Sequence, residues 1–216
     1  MDESGKAASS FRLVATLGAA GFLSGIVLVG VFVVTQPRIQ RNQAEALEAA
    51  IFRVLPGASS RKSFVLRDGR LTLLESADAL PSGEAVFGGY DDQGNLVGYG
   101  IPGEGPGYQD TIKLIYGYDP RQRQIVGMEV LESKETPGLG DKILKDQDFL
   151  GNFRALKVEP EVVAVKHGTR QNAYEVDTIS GATISSKAVI KIINQENRRW
   201  LPLISSTSSG QSKEQP

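Results

Sequence analysis

TIKLIYGYD (111–119), PRQR (120–123) and QIVGMEVLES (124–133) are the stretch whose reading decides the fold. The two outer runs are rich in β-branched and aromatic residues, and the four residues between them have the character of a turn. The chain before them repeats the theme. SFVLR (63–67) and LTLLE (71–75) flank Asp68-Gly69, a hairpin signal, and AVFGGYD (85–91) and LVGYGI (96–101) flank DDQGN (91–95). VVAVK (162–166) adds a short strand. Strands that succeed one another this closely form an antiparallel sheet rather than βαβ units. Two helices are expected after them. DQDFLGNFRAL (146–156) starts near Asp146, and SSKAVIKIINQENRRW (185–200) offers Ala188 or Val189, Ile192, Ile193 and Trp200 for one buried face. The expected fold class is α+β: a mostly antiparallel sheet with packed helices, behind one N-terminal transmembrane helix.

That helix is predicted from LVATLGAAGFLSGIVLVGVFVVTQP (13–37), which holds no charged residue and is long enough to cross a bilayer. The run ends VFVVTQPRIQ without a small-x-small site, so it is read as an uncleaved anchor and not a signal peptide. Lys6 and Arg12 precede it, and Arg38 and Arg41 follow it, so flanking charge leaves the orientation tied. Gly21 and Gly25, beside Gly18, form a G-x-x-x-G step that suits close helix approach, although glycine is common in membrane helices. Beyond it Ala44, Leu47, Ile51, Val54 and Leu55 follow helical spacing until Pro56-Gly57. The expected organisation is residues 1–12 as an N-terminus, 13–36 as the span, 37–60 as an amphipathic connecting helix, 61–200 as the folded domain and 201–216 as a disordered polar tail.

Composition narrows the chemistry. The formal net charge of -1 provides no basic excess for phosphate backbones, which argues against nucleic acid as a partner. With 0 cysteines the chain has no disulfide, no cysteine-bound iron–sulfur cluster and no thiol nucleophile. His167 is the sole histidine, so a histidine-rich metal site is excluded and no metal ligands are assigned. Redox chemistry here would need an organic cofactor. No acid–base set can be named, so a free-standing enzyme is not expected and no catalytic residue is assigned.

Two segments have unusual local chemistry. In DTISGATISSKAV (177–189), Gly181 permits a tight turn, Ala182 leaves space, and Ser185 or Ser186 is placed to N-cap the following helix. Thr183 then stands near a helix N-terminus, where unpaired N–H groups and the dipole favour an anion, with Lys187 in the first turn. An ordinary capped helix start fits the same spacing. In SKETPGLGDKI (133–143), Pro137, Gly138 and Gly140 force an irregular loop; a flat ring or phosphate could rest where Gly138 and Gly140 lack side chains, with Thr136 and Lys142 as donors. A surface turn fits equally. A third stretch, GEGPGYQDTIKL (103–114), reads as a glycine-rich loop with Tyr108 ahead of a strand, where Tyr108 suits either a ring site or a core edge.

Ser180-Gly181-Ala182-Thr183 preceded by Asp177 matches the D-x-x-S/T-G-A-T pattern of the FMN-binding domain family, and ETPGLG (135–140) is similar to a loop of the same family. With the single anchor and the early helix ending VLPG, residues 11–195 resemble the G subunits of Rnf electron-transport complexes. The family pattern has a histidine where this chain has Ser133. The resemblance implies FMN joined covalently, through its phosphate, to the Thr183 hydroxyl by a flavin transferase that uses FAD. It implies Ser180, Gly181 and Ala182 shaping the turn, Lys187 beside the phosphate, and Thr136, Gly138, Leu139 and Gly140 against the flavin. It further implies an electron-carrying subunit of an ion-translocating ferredoxin:NAD oxidoreductase, partnered with the other subunits and the lipid bilayer. The protein would be single-pass in the inner membrane, N-terminus cytoplasmic and domain periplasmic. The alternatives are the C subunit of a sodium-translocating NADH:quinone reductase and a membrane-tethered assembly subunit that never receives FMN.

Overall fold

The computed structural model describes residues 4–67, 69–74 and 85–211, with side chains described from residue 10 to residue 206. The chain divides into two compact units, Met1–Ala46 and Leu47–Pro216. The turn residue Asp68, Glu75 at the end of LTLLE, and 212–216 of the expected tail lie outside the described residues.

The described residues of the first unit are helical. α1 runs from Ser4 to Val54 and contains Pro37. It is long and apolar enough to cross a membrane, with a window of mean hydropathy 2.4 of which 0% is buried. The expected separation into a span and a connecting helix is therefore corrected: one helix carries both patterns. Proline removes a single intrahelical bond, and helical residues on both sides of Pro37 carry the element through it. The helix stops at Val54 rather than near residue 60, because Pro56 and Gly57 (φ 93°) break it and Ser60 already begins a strand.

Among the described residues of the second unit, seven strands form one antiparallel sheet. They are β1 (Ser60–Arg67), β2 (Arg70–Leu74), β3 (Ala85–Tyr90), β4 (Leu96–Pro106), β5 (Thr111–Asp119), β6 (Gln124–Glu132) and β7 (Leu156–Lys157), in the order β2-β1-β3-β4-β5-β6-β7. A small parallel pair, β8 (Val163–Val165) and β9 (Glu175–Asp177), lies apart from that ladder. β4 is longer than its apolar core suggested. Gly103–Pro106, expected as loop, pair with Thr111–Leu114 of β5.

Alternation along β5 divides the core between two faces. Ile112, Leu114, Tyr116 and Tyr118 join one cluster, and Ile115 joins the other. The first face is covered by α3 (Thr183–Gln211), which buries Val189, Ile193 and Trp200 to 0% exposure. Ile204 is also 0% exposed, with Leu201 and Leu203 packed beside it, so the helix continues to Gln211 where a disordered tail was expected from residue 201. Its apolar spacing persists one turn beyond Trp200, which supplies the burial that orders it. The short helix α2 (Gln147–Gly151) is capped by Asp146, whose carboxylate accepts from Phe149 N at 2.9 Å.

The second face receives the end of α1. Ala50, Ile51, Val54 and Leu55 pack on Phe87 and Ile115. Glycines make this approach possible. A Cβ at Gly117 would lie 2.0 Å from the Val54 carbonyl oxygen, at Gly89 2.8 Å from Leu55 Cδ1, and at Gly127 3.2 Å from Val54 Cα. Each large apolar side chain fully removed from water there contributes about 2 kcal/mol.

Candidate functional site

The turn ahead of α3 is built by its own hydroxyls. Ala182 N donates to Ile179 O at 3.0 Å, and Gly181 adopts φ 82°, the left-handed region that favours glycine. The Ser186 hydroxyl accepts from Ile179 N at 3.1 Å and donates to Ala182 O at 2.9 Å. Neither Ser185 nor Ser186 is an N-cap, as the sequence suggested. α3 already begins at Thr183, so both serines lie inside its first turn and are buried. Thr178 is buried too and donates to Val165 O at 2.9 Å. Of the hydroxyls from 178 to 186, those of Ser180 and Thr183 belong to exposed residues. Thr183 is the one at the head of the helix, where the first N–H groups have no acceptor within it. Lys187 is exposed one turn on, on the same side of α3 as Thr183.

The glycine loop 136–140 meets this turn. Lys142 Nζ comes within 3.9 Å of where a Cβ on Gly181 would stand, which brings a cation to the turn from the facing segment. Thr136 donates its hydroxyl proton to Gln109 Oε1 at 2.7 Å, and Gly138 (φ 76°) donates N–H to Asp141 Oδ1 at 2.7 Å. Leu139 is 52% exposed. Gly140 differs from expectation: it is buried, and the space a side chain would take is filled by Glu135 and Ser185 rather than left for a ligand.

Glu135, which sequence reasoning passed over, organises the site. It is 5% exposed. Its Oε1 accepts from Tyr108 N and Gln109 N, both at 2.9 Å, and its Oε2 accepts from the Ser185 hydroxyl at 2.5 Å. Burial pushes the Glu135 carboxyl up, but the Ser185 hydroxyl and the N–H groups of residues 108–110 outweigh it and hold the group below its ordinary range. The signal available in the sequence was an acidic residue opening a glycine loop, a type that gathers backbone N–H groups. Three exposed apolar side chains stand on the segments it joins: Tyr108 (67%), Leu139 (52%) and Ile184 (59%).

The motif aspartate is structural. Asp177 Oδ1 accepts from Thr169 N at 3.1 Å and Arg170 N at 3.2 Å. Beside it opens a cleft of about 590 Å³ whose lining includes Lys142, Asn152, His167, Arg170 and Ser180.

Residues 107–196 match the FMN-binding domain family. Over that stretch the chain is similar to an FMN-binding domain. Strands β5 and β6, the Glu135 loop and the first half of α3 fall within the matched residues, and β1 to β4 precede them. Similarity to curated proteins extends well beyond that domain. The chain is 29% identical over 85% of its length to the G subunit of the ion-translocating oxidoreductase complex of Methanosarcina acetivorans, covering 90% of that protein. It is 28% identical over 87% of its length to the G subunit of the proton-translocating ferredoxin:NAD(+) oxidoreductase complex of Clostridium ljungdahlii, covering 89% of it. Among solved structures, the C subunit of the Na(+)-translocating NADH-quinone reductase of Parabacteroides distasonis superposes with a TM-score of 0.61 at 22% identity, over 77% of this chain and 96% of that one. NqrC of Shewanella oneidensis gives 0.59 at 18% identity, over 71% and 91%. These two likenesses establish a shared fold: an antiparallel sheet with packed helices.

The residues fit the group. A phosphate ester needs an exposed hydroxyl, nearby N–H donors and a cation, which Thr183, the first turn of α3 and Lys142 offer. A flavin ring needs apolar cover, which Tyr108, Leu139 and Ile184 offer.

Proposed function

We propose that this chain is the electron-carrying G-type subunit of a membrane-bound, ion-translocating ferredoxin:NAD oxidoreductase, with FMN esterified to Thr183. The observation that carries the reading is the placement of Thr183. Inside an FMN-binding domain, it is the exposed hydroxyl at the head of a helix whose neighbouring Ser185 and Ser186 are buried and engaged. Ser180, Gly181 and Ala182 hold the turn, and Lys142 and Lys187 are the cations that balance the phosphate. Thr136, Gly138 and Leu139 form the adjoining loop, with Leu139 facing solvent and available to the ring. Gly140 serves indirectly, by leaving room for Glu135.

Attachment follows from ordinary phosphoryl chemistry. The Thr183 oxygen forms a bond to the flavin-side phosphorus of FAD, the bond linking the two phosphates breaks, AMP leaves, and the hydroxyl proton is released. A flavin transferase supplies the catalysis. When bound, FMN accepts and yields one or two electrons, so it joins carriers of either kind. This chain's part is to tether, orient and shield it. The curated relatives, matched across 89–90% of their lengths, favour this complex over the quinone reductase, to which the likeness is one of fold. The helix α1 anchors the protein in the inner membrane alongside the other subunits, with the N-terminus cytoplasmic and the domain periplasmic.

The test is intact mass and peptide mapping of the protein purified from membranes containing the transferase. The expected result is a gain of one FMN less one water on the peptide holding Thr183, lost in Thr183→Val with the fold retained. Undiminished flavin fluorescence of Thr183→Val on a denaturing gel refutes the site. Protease added to intact spheroplasts should cut the domain; protection there refutes the orientation.

A further inference from the structure

Building on the assignment of FMN to Thr183, we propose that Glu135 is the positioning residue of the flavin site: its buried carboxylate fastens the Tyr108–Gln109 loop to the first turn of α3 and thereby sets Tyr108, Leu139 and Ile184 around the ring. One oxygen accepts from two consecutive backbone N–H groups at 2.9 Å each, and the other accepts from Ser185, two residues beyond Thr183. The carboxylate is so closely fitted that neither flanking glycine can carry a side chain. A Cβ at Gly107 would lie 2.5 Å from Glu135 Oε1, and one at Gly140 2.8 Å from Ser185 Oγ. Three segments distant in sequence are thus registered by one charge, and each bears one of the exposed apolar side chains.

A carboxylate suits this task better than a neutral group, because bonds from N–H and O–H to an ionised acceptor are short and strong. Burial strengthens them further by removing competing water. An Asp at this position would lose one methylene of reach toward Ser185. If the clasp merely stabilised the fold, its loss would lower stability without changing the surroundings of a flavin that remained attached.

The experiment uses the full chain produced with a flavin transferase, comparing wild type, Glu135→Ala and Glu135→Gln. Glutamine keeps an acceptor oxygen for the two N–H groups and turns an amide donor toward Ser185, whose hydroxyl then accepts. Covalent FMN, read by intact mass, should be retained in all three. The visible circular dichroism of the flavin should fall by roughly half or more in Glu135→Ala and recover in Glu135→Gln. In unflavinylated protein, amide exchange at Tyr108 and Gln109 should quicken about tenfold in Glu135→Ala. If Glu135→Ala fails to fold, Ser185→Ala replaces it, with a weakened flavin signal expected. Unchanged visible circular dichroism in a folded, flavinylated variant overturns the proposal, as does unchanged exchange. A wild-type chain that never gains FMN overturns the Thr183 assignment instead, and its mass tells the two failures apart.

Discussion

Replacing Gly117 by alanine should unfold the sheet domain at markedly lower denaturant. The added Cβ would stand 2.0 Å from the Val54 carbonyl oxygen, 2.8 Å from the Val54 carbonyl carbon and 3.0 Å from Leu55 Cδ2. Ordinary contact begins near 3.4 Å, so the backbone at Val54 must retreat by more than about 1 Å. It has little freedom to do so: Ile51 and Leu55 are 0% exposed, and Val54 is 2% exposed. Overpacking of this kind costs about 1–3 kcal/mol, and lost dispersion around the displaced helix end places Gly117→Ala at the upper limit, about 3 kcal/mol. With a urea dependence of about 1–3 kcal/mol per molar, the midpoint should fall by about 1–3 M. The assay is urea unfolding of the detergent-solubilised full chain followed by fluorescence of Trp200, the chain's sole tryptophan and 0% exposed. Gly151→Ala is the control: it meets nothing within 4 Å and lies at φ -61°, so it should be neutral or stabilising by up to about 1 kcal/mol. A Gly117→Ala midpoint equivalent to within about 1 kcal/mol of wild type would refute the close-contact argument.

Two further outcomes are expected. Glu196 is buried, which pushes its carboxyl up against the opposing effects of the Trp200 N–H and Arg199. The folded chain therefore holds this proton more tightly than the unfolded chain, so the stability it confers is complete below the unfolded range and is lost as pH rises through the folded value. Glu196→Gln, which keeps an acceptor for Trp200 Nε1, should flatten that slope and be the more stable form at pH 7; a steeper decline in its denaturation midpoint with pH would contradict this. Gly181→Ala forces a Cβ into φ 82° and should cost about 1–2 kcal/mol at the turn, lowering the yield of covalent flavin measured by intact mass. Full yield at unchanged stability would show that the turn tolerates a side chain.

The strands were legible because their signal is local. Alternation in TIKLIYGYD and the turn PRQR gave β5 at Thr111–Asp119, and Gln124–Glu132 followed as β6. The end of β4 was not, since glycines at 103 and 105 suggest a loop until Ile192 and Glu196 of α3 are seen to pack against them. The continuity of α1 through Pro37 and the extension of α3 to Gln211 escaped for a related reason, as both depend on context outside the local pattern. At the site, the turn residues 180–183 and the loop 136–140 could be named from their types, but Glu135 could not. Its importance lies in three segments that meet only in space, and Gly140 shows the same limit, with its open side taken by that carboxylate.

The helix that begins at Thr183 is seated along its length, from Val189 to Ile204. A group fastened to its first residue is mounted on a post, unlike the long flexible arms that carry lipoyl or biotinyl groups between distant stations. Its reach is the reach of the domain. With FMN carried there, electrons would enter and leave only where another protein surface came within tunnelling distance of that fixed point, so the timing of transfer would belong to the docking of whole domains and not to the swing of a tether.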